Sequence, residues 1–76
     1  MKTQKAAIAK ARAYAKKTGE DYVVMFSEWH HSYYLKKWST IWSKVYAAPE
    51  DEQHEVYDAE TENYRFTVCA DGELAN

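Results

Sequence analysis

Tyr22-Val23-Val24-Met25-Phe26-Ser27-Glu28, then Trp29-His30-His31-Ser32, then Tyr33-Tyr34-Leu35-Lys36-Lys37 reads as one β-hairpin. Val23, Val24 and Phe26 are strong strand formers, and Gly19 and the polar group from Glu28 to Ser32 bound the first strand. Trp29, His30 and His31 fall at or near the tip. No two-residue glycine turn is present, so the sequence leaves the register open.

On the N-terminal side, residues 4–18 predict a helix rich in Ala, Lys, Arg and Gln. Thr3 is the expected N-cap, and Gly19 stands where a C′ glycine belongs, after Lys16 and Lys17 in the last turn. Ala7, Ile8, Ala11, Tyr14 and Ala15 form an apolar stripe narrow enough to lie close on a sheet. The remaining positions carry Lys2, Lys5, Lys10, Arg12, Lys16 and Lys17, with no acid before Glu20. The outer face is therefore an unneutralised cationic strip.

On the C-terminal side, Trp38, Ile41, Trp42, Val45 and Tyr46 match helical spacing, with Ser39 as a cap and Pro49 as a stop. Thr40, Ile41, Trp42, Val45 and Tyr46 equally favour a third strand, so the segment stays open between the two, with a short helix as the reading taken. Pro49 to Gln53 reads as an acidic loop. Glu55 to Tyr57 and Tyr64 to Cys69 read as a second hairpin joined by residues 58–63. Tyr64, Phe66 and Val68 alternate with Arg65, Thr67 and Cys69, as on a sheet with one buried face. Residues 70–76 read as a loose tail. The expected fold is a single α+β domain over residues 1–76: an N-terminal helix packed on a small antiparallel sheet of two hairpins, with a short helix between them.

Composition limits the functional classes. The 76 residues are 46% hydrophobic and 16% aromatic, with two Gly and one Pro, which excludes disordered and low-complexity chains. The one cysteine, Cys69, forms no internal disulfide, and the longest apolar run, Tyr22 to Phe26, falls far short of the ~20 residues of a membrane span. A cytoplasmic protein with no membrane partner is expected. Residues 1–48 hold nine basic and three acidic side chains, a net of +6, whereas residues 49–76 hold one basic and nine acidic, a net of −8. The near-neutral total thus hides two halves of opposite sign.

The residues with reactive chemistry form no recognisable motif. His30, His31 and His54 with Cys69 lack the spacing of a metal site, and adjacent histidines on a strand point to opposite faces. A Cys69–His54 nucleophile pair has no oxyanion site or pocket around it in the sequence. The expectation is no enzyme activity, no metal and no cofactor.

Binding is the class that remains. Trp29, Trp38, Trp42, Tyr33, Tyr34 and Tyr46 crowd into eighteen positions, and one helix cannot cover both faces of a sheet. Trp29, Tyr33, Trp38 and Trp42 are the expected apolar anchors for a protein partner, with Lys36 and Lys37 supplying orientation. Two alternatives use charge. The basic half, including Lys44, could hold nucleic acid, with Trp38, Trp42 or Tyr33 stacking on bases. The acidic series Glu50, Asp51, Glu52, Glu55, Asp58, Glu60 and Glu62 could imitate a row of phosphates. A homodimer through an open sheet edge or an uncovered aromatic face is a further expectation.

The Ala-rich opening helix runs into Tyr14-Ala15-Lys16-Lys17-Thr18-Gly19-Glu20-Asp21-Tyr22-Val23-Val24, and short aromatic strands and a Val56-Tyr57-Asp58-Ala59 hairpin follow. In this style the chain resembles the small accessory proteins of phages and prophages. The resemblance implies a protein that inhibits or redirects a host protein, defence systems included. It assigns no site residue.

Overall fold

The computed structural model describes residues 1–75; Asn76, the end of the expected tail, lies outside the described residues. The hairpin forms from β1 (Tyr22–Ser27) and β2 (Ser32–Lys37), with Tyr22 opposite Lys37 and Ser27 opposite Ser32. A four-residue turn closes it. His31 sits there at φ 49°, and the His30 N–H donates to Ser27 Oγ at 3.2 Å.

The other side of β1 pairs with β3 (Tyr64–Val68), also antiparallel, giving the sheet order β2-β1-β3. β1 is therefore central, and Tyr22, Val23, Val24 and Met25 are all buried. A strand covered on both faces needs an unbroken apolar run, and Tyr22 to Phe26 is that run.

α1 (Gln4–Thr18) covers one face of the sheet. Thr3 Oγ1 accepts from the Ala6 N–H at 3.1 Å, and Gly19 ends the helix at φ 72° with its N–H on the Ala15 carbonyl, as expected. Ala7, Ala11 and Ala15 are fully buried against Tyr22, Val24 and Val68, with Tyr33, Leu35 and Phe66 completing that core.

The other face is covered too, which corrects the expectation of a bare side. α2 (Trp38–Ala47) starts directly at the end of β2, so the helical spacing of Trp38 to Tyr46 prevails over its β-branched residues. Ser39 is inside the helix rather than capping it, and its hydroxyl donates to Glu20 Oε1 at 2.8 Å.

The second hairpin is not formed. A 3₁₀ turn (Glu50–Glu52) leads into α3 (Gln53–Glu60), which contains the residues expected as a strand. Three acids after Pro49 suit a helical start, because carboxylates stabilise the positive end of a helix. Val56 and Tyr57, neighbours on one helix face, then both reach the second core, with Val23, Met25, Ile41, Val45, Tyr34, Trp38 and Tyr64. As strand residues they would point to opposite sides.

The alternation expected for Tyr64, Phe66 and Val68 also breaks. Phe66 pairs with Val24 but Tyr64 pairs with Met25, so Arg65 is the extra residue of a bulge. Tyr64 consequently turns to the α2–α3 side, while Phe66 and Val68 stay under α1.

Both sheet edges are partly closed by the chain's own backbone. Tyr33 on β2 exchanges hydrogen bonds with Met1. Residues 70–75, expected as a loose tail, turn back on β3: the Cys69 N–H donates to the Glu73 carbonyl at 2.8 Å and the Ala75 N–H to the Thr67 carbonyl at 3.0 Å. Paired edges offer less to a second copy than the open edge the sequence suggested.

Candidate interaction surface

The rings of the α2–α3 layer form a graded ladder from core to solvent. Trp38 enters α2 with its N–H on the Asp21 carbonyl, and its indole Nε1–H donates to Thr67 Oγ1 at 3.2 Å. Thr67 Oγ1 also shares a 2.7 Å hydrogen bond with the Tyr64 hydroxyl, so the buried end of the ladder is tied to β3. One turn on, Trp42 stacks on Trp38 with centroids 6.2 Å apart, and on Tyr57 of α3 at 5.3 Å. Another turn on, Tyr46 stacks on Trp42 at 5.7 Å. Exposure rises along the series: Trp38 is half-buried, Trp42 is 40% exposed and Tyr46 is 70% exposed. Spacing of four residues keeps all three rings on one side of α2.

The other expected anchors are elsewhere. Trp29 is 89% exposed at the hairpin tip, roughly 17 Å along β2 from Trp38 at 3.4 Å per residue. Tyr33 is half-buried in the α1 core on the opposite face, its ring edge-on to Phe26 at 4.8 Å. The structure thus brings Trp38 and Trp42 together and leaves Trp29 and Tyr33 apart from them. Tyr46 and Tyr57 join the ladder. Tyr46 was visible in the helical spacing, whereas Tyr57 was hidden by the strand reading.

Lys36 and Lys37 are engaged within the chain. Lys36 Nζ lies 3.1 Å from Glu60 Oε1, and Lys44 Nζ is 3.3 Å from the same oxygen. The hydrogen bond from Lys36, aided by Lys44, holds the Glu60 carboxyl below the usual range against the opposing effect of burial. Lys37 Nζ is 3.0 Å from Glu20 Oε2. The hydrogen bond between them lowers Glu20 and raises Lys37, and the Ser39 hydroxyl lowers Glu20 further.

The acidic series divides accordingly. Glu60 faces inward between two lysines, while Glu50, Asp51, Glu52, Glu55, Asp58 and Glu62 remain exposed. Asp58 Oδ2 is 3.4 Å from His54 Nε2 one turn away on α3. Residues 38–63 as a whole carry seven carboxylates against one lysine. The cations of α1 and the exposed acids of α3 lie on opposite faces of the sheet, whereas Lys36 and Lys44 are matched by Glu60 on the α3 side.

Reactive groups do not converge. Among the described residues no three His, Cys, Asp or Glu side chains gather as metal ligands. Burial pushes the Cys69 thiol up, and Asp21, Asp71 and Glu73 push it further, the wrong direction for a nucleophile. A shallow cleft of about 270 Å³ is lined by Trp38, Tyr57, Thr61 and Tyr64. A depression of about 530 Å³ lies between α1 and Leu74, lined by Gln4, Lys5, Ile8, Ala9 and Arg12, with no carboxylate, histidine or cysteine in its wall. No helix among the described residues is long and apolar enough to cross a membrane. Comparison of the chain with family models, curated proteins and solved structures returned no match.

Proposed function

We propose that this protein is a non-enzymatic interaction module whose α2–α3 layer docks on a cationic surface of a partner protein. One observation carries the reading: stacked, solvent-facing rings, Trp42 and Tyr46, stand in a layer with seven carboxylates and one lysine. Aromatic rings supply contact area at small entropic cost and attract Arg and Lys through their faces. The surrounding carboxylates steer a positive partner and raise its on-rate. The cationic groove of a nucleic-acid-binding protein is one such surface, and the exposed acids from Glu50 to Asp58 would then stand where phosphates stand.

The test is nuclease-treated affinity capture with the wild-type chain, Trp42→Ala and a Glu50→Gln/Asp51→Asn/Glu52→Gln variant. The expected result is a basic partner lost with Trp42→Ala and captured more slowly, with weaker salt dependence, by the charge variant. An identical captured set for all three chains would overturn the reading.

A further inference from the structure

We propose that the outer face of α1 binds the phosphate backbone of duplex DNA without reading its sequence. This site is on the opposite side of the sheet from the α2–α3 face and does not depend on it. Burial of Ala7, Ala11 and Ala15 fixes the rotation of α1. At 100° per residue, the ridge pointing directly away is then Ala6, Ala9 and Ala13, all exposed. Lys5, Arg12 and Lys16 fall along one flank of that ridge, and Lys10 and Lys17 along the other.

These cations are available as the other lysines are not. Lys36, Lys37 and Lys44 each face a carboxylate, whereas Lys2, Lys5, Lys10, Arg12, Lys16 and Lys17 have no ion pair among the described residues. Lys10 sits over the Tyr14 ring at 5.7 Å, a contact that leaves its charge intact. The acids of α3 are two layers away, at roughly 10 Å per layer. That separation is well beyond the ~8 Å screening length at physiological salt, so the acids of α3 do not cancel the cations of α1. Acids close to α1 cluster at its C-terminal end: Glu20 and Asp21 follow the helix, and Asp71 and Glu73 flank Gly72, beside the Lys16 stem. Glu20 is already paired with Lys37.

Shape selects the kind of polyanion. A helix about 10–12 Å across fits the ~12 Å major groove of B-DNA. A ridge of alanines lets it approach closely, and the two flanking rows then face the phosphate walls. Methyl groups offer the groove floor no donor or acceptor, so contacts fall on the backbone. The narrow major groove of duplex RNA does not admit side chains in this way. A lipid surface is a poorer fit, because the apolar stripe of α1 is already buried in the core.

The test is fluorescence anisotropy with labelled 20-base-pair DNA duplexes of differing sequence and an RNA duplex, from 50 to 200 mM NaCl. Expected is DNA binding with little sequence preference and a slope of log affinity on log salt of about −4.5 to −5.5, as for five or six neutralised phosphates. Lys5→Glu/Arg12→Glu, checked for fold by circular dichroism, should weaken it about tenfold or more, and Trp42→Ala should leave it unchanged. No binding at 50 mM NaCl, equal affinity for the RNA duplex, or indifference to the α1 variant would each overturn the proposal. So would sedimentation showing that the same variant instead abolishes a salt-sensitive self-association, which would make a second copy the occupant.

Discussion

Glu60 Oε1 accepts from Lys36 Nζ at 3.1 Å across 24 residues of chain, so a carboxylate at the end of α3 is fastened to β2. Lys44 of α2 approaches the same oxygen. One acid therefore ties together three elements that meet on one side of the sheet. Its side chain is only 19% exposed, which distinguishes it from an ordinary surface ion pair.

Glu60→Gln should cost about 1–2 kcal/mol at neutral pH, since it removes a charge-assisted hydrogen bond and leaves two lysines facing an amide. The pH dependence has a definite sign. The folded-state pKa lies below the ordinary value. Its contribution is thus complete above the ordinary glutamate range and is lost as pH falls through the lowered value. Urea midpoints measured from pH 6 to pH 3 should fall less steeply in Glu60→Gln than in wild type. Identical slopes would show that the pair does not stabilise the fold.

Trp38 and Trp42 are one helical turn apart and should respond differently to truncation. Trp38→Ala empties part of the core and breaks the Thr67–Tyr64 arrangement, at about 3–5 kcal/mol. Trp38→Phe keeps most of the ring but removes the indole N–H that donates to Thr67 Oγ1, at about 1–2 kcal/mol. Trp42→Ala removes a ring already 40% exposed and should cost only about 1–2 kcal/mol. Chemical denaturation of the three variants checks the order. Equal losses at Trp38 and Trp42 would make Trp42 a core residue and remove the basis for assigning it to docking.

The hairpin and α1 were legible because their signals are local. Thr3 and Gly19 cap where their chemistry dictates, and the run Tyr22 to Phe26 is apolar because β1 is covered twice. α3 was not legible, because Val56-Tyr57 is compatible with a strand, and the helical start at Pro49-Glu50-Asp51-Glu52 looks like a solvated loop. The place of Tyr64 was hidden for a different reason. A bulge at Arg65 reverses the face of every residue before it, and no residue type announces a bulge. For the surface, helical spacing found Trp38, Trp42 and Tyr46. Lys36 and Lys37 were hidden because their partners, Glu60 and Glu20, lie far from them in sequence, and Trp29 stays alone at the exposed hairpin tip.

Gly19→Ala isolates the cost of a backbone conformation. Gly19 has φ 72°, and a methyl group added there meets nothing within 4 Å. Steric crowding is absent, so the penalty is that of a left-handed alanine, about 1 kcal/mol. For a domain of this size that lowers the melting temperature by about 4–8 °C. An unchanged melting temperature would mean that α1 ends differently in solution.

Cys69 provides a probe of the C-terminal turn. Its thiol is raised by burial first, and then by the carboxylates of Asp21, Asp71 and Glu73. Asp21 Oδ1 itself accepts from the Ala70 N–H at 2.7 Å, which holds that charge close to residue 69. Alkylation by iodoacetamide should therefore reach its half-maximal rate at a higher pH in the folded protein than in the urea-unfolded chain. Asp71→Asn should move the folded midpoint downward, because it removes one of the negative charges that disfavour the thiolate. Ionic strength should act in the same direction by screening the carboxylates. A folded midpoint at or below the unfolded one would mean that the turn does not bring these acids to the thiol, and Cys69 would again be a candidate nucleophile.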